Sequence, residues 1–290
     1  MSMQGKVVVV TGSNVGIGLE TAVGVASLQA TTVLACRNQA KAEAAAKEVT
    51  QRTWNDDVHV VALDLADLAS VRKAAEDILS RWDRLDVLVN NAGGTWSRRQ
   101  LTAQGFEYTF GVNHLGHFYL TNLLLPRLGA DPPSRVVSVS SMGHHFARGG
   151  MRFDDLQSER HYEGMGAYCR SKLANLLFVR ELARREESAG VTANAAHPGW
   201  VRSSFAMDGD TEGITGFGMR VMRPLQISPR RGARTSIYLA TSPEVADKTG
   251  LYWVRSKPGR MSEHARDGAA AARLWDESQQ LLASAGFGLS

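Results

Sequence analysis

The sequence predicts an α/β protein: a doubly wound parallel sheet of about seven strands with helices on both faces, in a single domain. Three observations predict it. Short β-branched runs alternate with helical stretches along most of the 290 residues. The first run, Lys6–Thr11 (KVVVVT), is apolar without alternation, as a strand covered on both faces must be. It leads directly into a glycine-rich turn, Thr11-Gly12-Ser13-Asn14-Val15-Gly16-Ile17-Gly18, that opens into a helical period.

The remaining elements follow in order. A helix is expected from about Gly16 to Leu28, and a second short apolar strand at Thr31–Cys36. Gln39–Arg52 is rich in Ala, Glu and Lys and reads as helix. Val58–Leu63 is a third strand, Leu68–Trp82 a third helix, and Leu85–Asn90 a fourth strand. Helical periodicity covers about Gly111–Leu128, and Arg135–Ser141 (RVVSVSS) is a fifth strand. Residues 144–165, rich in charge and glycine, read as an inserted loop. A long helix spans about Ala167–Glu187, and a sixth strand Val191–His197. Residues 202–228 have no clean period. A helix at Arg231–Leu239, a last strand within Gly250–Val254 and an amphipathic helix at Ala269–Leu282 complete the chain. There is no repeat, linker or low-complexity segment, so one domain is expected.

Composition narrows the class. With 43% hydrophobic residues the chain has material for one large core. The net charge of +4 comes from 33 basic against 29 acidic residues, without a basic block. This argues against nucleic acid as a partner and suits a phosphate-bearing small ligand. Two cysteines, Cys36 and Cys169, stand in apolar or motif contexts, which fits a reducing, cytoplasmic setting better than a disulfide. Met1–Lys6 runs straight into a strand, and no apolar run approaches the roughly 18 residues of a membrane helix. A soluble protein without a membrane span is therefore expected. His144, His145 and His197 lack metal-ligand spacing with any carboxylate, so no metal site is expected.

The glycine turn has the makings of a pyrophosphate site. Gly12 permits a tight turn, Gly16 and Gly18 allow close backbone approach, and the helix start presents unpaired N–H groups and a partial positive charge. Ser13, Asn14 and Ile17 belong to the same turn. The end of the second strand then selects the ligand. A dinucleotide without a 2′-phosphate is usually met there by an acidic residue that accepts from the ribose hydroxyls. This chain has Cys36-Arg37-Asn38 instead. A carboxylate would repel a 2′-phosphate, whereas a guanidinium can clamp it. NADP is thus the expected cofactor, with Arg37 its main reader and Asn38 and Ser13 assisting.

Downstream, Tyr168 and Lys172 stand four residues apart and share one helix face. Ser140-Ser141 precedes them at the end of the fifth strand. The glycine turn, the paired serines and the Tyr-x-x-x-Lys, in that order, resemble the short-chain dehydrogenase/reductase family, over nearly the whole chain. The resemblance implies a Rossmann fold and an oxidoreductase that moves hydride between a nicotinamide and a substrate oxygen-bearing carbon. It implies Tyr168 as general acid/base and Lys172 as the group that lowers its pKa and holds the nicotinamide ribose. It implies Ser141 as the residue that orients the substrate oxygen, and Asn113 as a fourth catalytic residue, in a local helix irregularity, holding a water that relays protons to Lys172.

The cofactor contacts it implies are also specific. Asp64-Leu65 is similar to the family's adenine-edge pair, though an N-cap role remains open for Asp64 as for Asp67. Asn90-Asn91-Ala92-Gly93 is similar to the segment that braces the central strand and lines the adenosine site. In His197-Pro198-Gly199-Trp200-Val201-Arg202-Ser203, the backbone of Pro198, Gly199 and Val201 and the hydroxyl of Ser203 would contact the nicotinamide end. The inserted loop and Gly166–Asn175 look like the retinol-dehydrogenase-like branch. Residues 202–226 resemble a substrate lid with an apolar wall of Phe205, Met207, Phe217, Met219 and Met222, to which Trp96 and Trp200 are candidate additions. A lipophilic alcohol, aldehyde or ketone is the expected substrate. A steroid or ketone reductase of the same mechanism, or a non-catalytic NADP-sensing or scaffold protein, are the alternatives. The family commonly assembles through the helices around 114–128 and 168–187, so a homodimer or homotetramer is expected.

Overall fold

All five residues of β1 (Val7–Thr11) are buried, and alternation along the strand explains why. Val7 and Val9 enter one apolar core and Val8 and Val10 another, on the opposite face of the same sheet. The computed structural model describes residues 2–201 and 226–289. Beside β1 run β2 (Thr31–Cys36), β3 (Val58–Ala62), β4 (Val87–Asn90), β5 (Ser134–Val139), β6 (Val191–His197), β7 (Tyr252–Val254) and β8 (Lys257–Pro258). Their spatial order is β3-β2-β1-β4-β5-β6-β7-β8. The first seven are parallel, and the order reverses between β1 and β4. That reversal opens a crevice at the carboxyl ends, where open α/β sheets take their ligands.

Among the described residues the sheet has eight strands where about seven were expected. The extra one, β8, pairs antiparallel with β7. Arg255 and Ser256, with φ of 52° and 59°, close the hairpin between them. Both are left-handed, as a two-residue hairpin turn requires. Arg-Ser carries none of the glycine or asparagine that usually signals such a turn, so the sequence pattern does not reveal it.

The helices are α1 (Gly16–Ala26), α2 (Gln39–Thr53), α3 (Leu68–Arg81), α4 (Tyr108–Phe110), α5 (Gly116–Leu128), α6 (Gly164–Arg185), α7 (Pro229–Thr241), α8 (Glu263–Arg266) and α9 (Gly268–Ser284). Helices α3, α5, α6 and α9 feed the larger core. Helices α1 and α7 cover the other face, with α1 and α2 closing a third cluster over Leu34 and Cys36 of β2. Side chains fix the helix starts: Asn38, Asp67, Glu163, Ser228 and Asp267 each accept from a backbone N–H in the first turn. Asp67 is therefore the cap of α3. Asp64 sits in the turn before it, where its Oδ1 accepts from Ala66 N–H at 2.9 Å.

At the amino-terminal ends of the central strands, the buried Asp86 carboxylate accepts from Val7 N–H, from Arg84 through two nitrogens at 2.8 and 2.6 Å, and from Lys6 at 2.9 Å. These partners outweigh the upward push of burial and hold its pKa below the ordinary carboxylate value.

The last helix settles where the faces of α5 and α6 go. Trp275 of α9 stacks on Phe178 (centroids 5.9 Å, 17°) and meets Phe118 edge-on at 4.9 Å. Ser278 of α9 hydrogen-bonds His114 Nε2 at 2.9 Å. Leu173, Leu176, Leu177 and Leu182 are buried in the chain's own core. The two helices expected to meet a second subunit are thus covered, on these residues, within the chain itself.

Candidate active site

The glycine turn shows a separate reason for each glycine. Gly12 has φ of 62°, and a Cβ there would stand 2.8 Å from Ala92 Cβ. Gly18 is closer still: its Cβ would fall 2.4 Å from the Gly12 carbonyl oxygen and 2.5 Å from Asn91 Nδ2. Gly16 differs from the expectation of close approach. Its φ of 62° demands glycine, but a Cβ there would face open space. The N-cap position, Val15, offers no side-chain acceptor, so the first N–H groups of α1 stay available. A left-handed turn, open above Gly16, at an uncapped helix start suits an anionic phosphate group. Gly18→Ala is expected to lower stability by about 1–3 kcal/mol, because the obstructing atoms are backbone and a bonded amide. Thermal unfolding followed by circular dichroism checks this; an unchanged midpoint would contradict the packing described.

Thr11 ties the turn to its neighbours. Its hydroxyl oxygen accepts from Asn91 N–H (2.9 Å) and Ala92 N–H (3.0 Å). Asn91 Nδ2 returns a bond to the Thr11 carbonyl at 2.8 Å, so Asn91 does brace the central strand. The fully enclosed His117 lies beneath. Its Nδ1 faces the Asn113 carbonyl at 3.3 Å and must donate, which leaves Nε2 to accept from the Thr11 hydroxyl at 2.9 Å. Burial pushes His117 down to about 3, aided by the nearby charge of Lys172, so it is neutral in the folded protein.

Asn113 lies in a π-helical turn, Gly111–Leu115, between α4 and α5. Both flanking glycines are pressed: a Cβ at Gly111 would meet Thr102 Cγ2 at 2.4 Å, and one at Gly116 the Leu65 carbonyl at 2.6 Å. The widened turn aims the buried Asn113 amide at the loop after β4. Its Oδ1 accepts from Gly94 N–H and its Nδ2 donates to Gly94 O and Ser171 Oγ, all at 2.9 Å. Gly93 is thereby seated between Asn113 and Lys172, its Cβ position 2.8 Å from Asn113 Oδ1 and 3.4 Å from Lys172 Nζ.

Ser141, at the end of β5, caps a 3₁₀ turn (Met142–Phe146) and accepts from Gly143 N–H at 3.1 Å. Gly143 is where Ser141 and Tyr168 come together: its Cβ position is 3.3 Å from Tyr168 Cε1 and 3.5 Å from Ser141 Oγ. Lys172 is buried, donates to Val139 O at 3.1 Å, and lies 5.7 Å from the centre of the Tyr168 ring. Desolvation pushes Lys172 down to about 8. The Tyr168 phenol does not sit below its usual value as expected. Burial raises it, and the group that pulls it back down is Ser141, through a hydrogen bond. Lys172, which gives one of its three N–H groups to Val139 O, is not among the groups that shift the neutral phenol here.

Behind this pair lies a cluster absent from the sequence reading. His144 Nδ1 donates to Ser141 O at 2.7 Å, and its Nε2 accepts from Ser262 N–H at 3.2 Å. Tyr252 meets the His144 ring edge-on at 4.9 Å and His197 at 6.2 Å. Burial pushes His144 and His197 down to about 4, so both are neutral. Paired His144-His145 after the serines is the one sequence signal that pointed here.

At the other end of the crevice, Arg37 is exposed at the end of β2 and donates to Tyr108 Oη at 3.0 Å. Its two expected helpers are otherwise engaged. Asn38 Oδ1 caps α2 by accepting from Lys41 N–H, and the Ser13 hydroxyl is buried and donates inward to Val10 O at 2.8 Å. Ser13 therefore turns its hydroxyl away from the crevice because the strand end offers it a carbonyl. Leu65 is buried against Gly116. Pro198, Gly199 and Val201 form a turn held to Ile227, whose N–H donates to Trp200 O at 2.9 Å. Trp200 is half exposed, while Trp96 packs toward Tyr108. Ser203 and all but the last residue of the lid expected at 202–226 lie outside the described residues. Among the described residues no group of three His, Cys, Asp or Glu is placed to hold a metal ion, and no helix is long and apolar enough to cross a membrane.

A reversed-order parallel sheet, a glycine turn at an uncapped helix and a Ser–Tyr–Lys–Asn group at the strand ends define a Rossmann-like oxidoreductase. The chain belongs to the short chain dehydrogenase family, whose model matches residues 6–153. It falls in the branch that resembles retinol dehydrogenases. It is 44% identical to human retinol dehydrogenase 13 over 97% of this chain and 86% of that protein. It is 45% identical to human retinol dehydrogenase 12 over 97% of this chain and 88% of that one. Among solved structures, an uncharacterized protein from Mycobacterium paratuberculosis superposes with a TM-score of 0.76 at 39% identity, covering 97% of this chain and 94% of the other.

Proposed function

We propose that this protein is an NADP(H)-dependent oxidoreductase that interconverts a lipophilic alcohol and its aldehyde or ketone. The observation that carries this is the convergence of Ser141, Tyr168, Lys172 and Asn113 at the strand ends, one crevice away from an open phosphate turn and Arg37. A protein that only sensed a dinucleotide would have no use for a buried lysine beside a buried phenol. The names of the retinol dehydrogenases support a lipophilic alcohol or aldehyde as substrate class. Buried thiols at Cys36 and Cys169 suit a reducing, cytoplasmic setting.

The dinucleotide, when bound, supplies or accepts the hydride. The residues do the rest. In the reducing direction Tyr168, held neutral by burial, donates its phenolic proton to the substrate oxygen as charge develops there. Ser141 donates a second hydrogen bond to that oxygen and so fixes its position relative to the phenol. Lys172, still largely cationic at neutral pH, stabilises the phenolate left behind. Asn113 locks Gly93 and Gly94, keeping the floor beside Lys172 in place for a proton relay from solvent. In the oxidising direction the same groups run in reverse. The turn at Gly12–Gly18 would hold the pyrophosphate, and Asp64-Leu65 with Asn91-Ala92-Gly93 would border the adenosine. The Pro198–Val201 turn would border the nicotinamide, and the apolar residues expected in the 202–226 segment would suit a lipophilic substrate. Any homodimer or homotetramer would use surfaces other than the α9-covered residues of α5 and α6.

Arg37 is the discriminating test. Arg37→Ser should raise KM for NADPH by roughly 10- to 100-fold, the worth of charge-assisted bonds to a 2′-phosphate, and leave KM for NADH nearly unchanged. Steady-state kinetics with lipophilic aldehydes and ketones reads this. Equal effects on both cofactors would reject NADP preference through Arg37.

A further inference from the structure

We infer that Tyr108 is a positioning residue for Arg37 and thereby sets cofactor specificity; this rests on the reading of Arg37 as the phosphate reader. The bond from Arg37 Nη1 to Tyr108 Oη, 3.0 Å long, joins residues 71 apart in sequence. In the sheet, β1 lies between β2, directly after which Arg37 stands, and β4, whose loop leads to Tyr108. The bond therefore reaches across the end of β1, where the glycine turn begins. Among the described residues Arg37 forms no ion pair. A carboxylate partner would neutralise the guanidinium and compete with a phosphate. A neutral phenol takes one N–H and leaves the charge and the remaining donors for an anion.

Tyr108 can hold Arg37 because Tyr108 is itself held. Its ring meets Trp96 edge-on, with centroids 4.7 Å apart at 73°. Trp96 lies directly over Gly94, where a Cβ would come within 2.6 Å of its ring. The Trp96 carbonyl accepts from Tyr162 Oη at 2.8 Å. The residue before Tyr108, Glu107, is buried and accepts from Thr109 and Phe110 N–H at 2.7 Å each, and its own N–H donates to Gln157 Oε1 at 2.7 Å. Gln157 and Tyr162 both belong to the inserted loop 144–165. The insertion thus braces the segment that positions the phosphate reader. A long arginine side chain loses considerable rotamer freedom when it closes on a ligand, and one already anchored loses less.

The test compares wild type, Tyr108→Phe, Arg37→Ser and the double variant, measuring KM for NADPH and NADH and kcat at saturating NADPH. Phenylalanine keeps the ring and its packing on Trp96. Tyr108→Phe should raise KM for NADPH about fivefold, the effect of one exposed bond to a charged group. NADH KM and kcat should not move, and in the Arg37→Ser background Tyr108→Phe should have no effect. If Arg37→Ser destroys the NADPH preference but Tyr108→Phe shifts neither cofactor, shifts both equally or tightens NADPH, the role of Tyr108 is overturned while Arg37 stands. If wild type does not prefer NADPH, or Arg37→Ser leaves that preference intact, the reading of Arg37 fails and the role of Tyr108 falls with it.

Discussion

Replacing Tyr168 by phenylalanine is expected to lower turnover by about 10²- to 10⁴-fold, the span ascribed to a positioned proton donor. Dinucleotide binding should be nearly unchanged. The substitution removes one oxygen and leaves the ring between Gly143 and Lys172. The Lys172 ammonium remains tied to Val139 O, and the glycine turn is remote from the change. Rate and binding therefore separate, and measuring kcat alongside NADPH binding by fluorescence checks both. Near-normal turnover in Tyr168→Phe would end the proposed mechanism. The same geometry sets a pH dependence. The phenol sits above its ordinary value of 10 and Lys172 near 8. Alcohol oxidation, which needs the phenolate, should rise with pH across the alkaline range. Carbonyl reduction, which needs the neutral phenol, should not.

A second large effect is expected in acid. His114 and His117 are pushed down to about 3 and His144 and His197 to about 4, all chiefly by burial, from an ordinary value near 6.5. In the unfolded chain these side chains take up protons as the pH falls through 6.5; in the folded protein they stay neutral until near 4 or below. The stability they contribute is complete above pH 6.5 and is lost as the pH falls, by about 1.4 kcal/mol per pH unit for each histidine. The two deepest, His114 and His117, already give about 3 kcal/mol per unit, against a usual total of about 5–15 kcal/mol. Unfolding should therefore begin between pH 6 and 4, before the carboxylates take part. Glu181 is held down by Arg184 and Arg185, and Asp86 stays low despite burial because Arg84 and Lys6 outweigh it. Those two matter only below about pH 5. Urea unfolding at stepped pH, on wild type and His114→Gln, checks the assignment. A variant with the same pH slope as wild type would show that His114 is not one of the groups responsible.

Much of the architecture was legible because its signals are local. The ends of β2 and β6 coincide with the expected ones, since both are short, mostly buried runs bounded by residues of another character. The chemical groups were legible too: Tyr168 and Lys172 share a helix face at any register, and Asn91 and Gly12 meet because their strands are neighbours. What stayed hidden depends on distant contacts. The β8 hairpin turns on Arg255 and Ser256, neither of which advertises a left-handed backbone. The Ser13 hydroxyl was expected in the crevice and instead found the Val10 carbonyl. The Tyr168 phenol was expected to be lowered by Lys172, but its burial, which distant packing sets, raises it instead. No spacing rule could bring Arg37 to Tyr108.

Helix α9 has a consequence beyond the core it helps to fill. Through Trp275 and Ser278 it closes over Phe118, Phe178 and His114, within the helices that carry Tyr168 and Lys172 and that follow Asn113. The helix that carries Tyr168 and Lys172 is thus supported from behind by covalently linked protein, whose effective concentration does not fall on dilution. At this face, specific activity should hold steady from micromolar to nanomolar enzyme: the chain brings its own buttress.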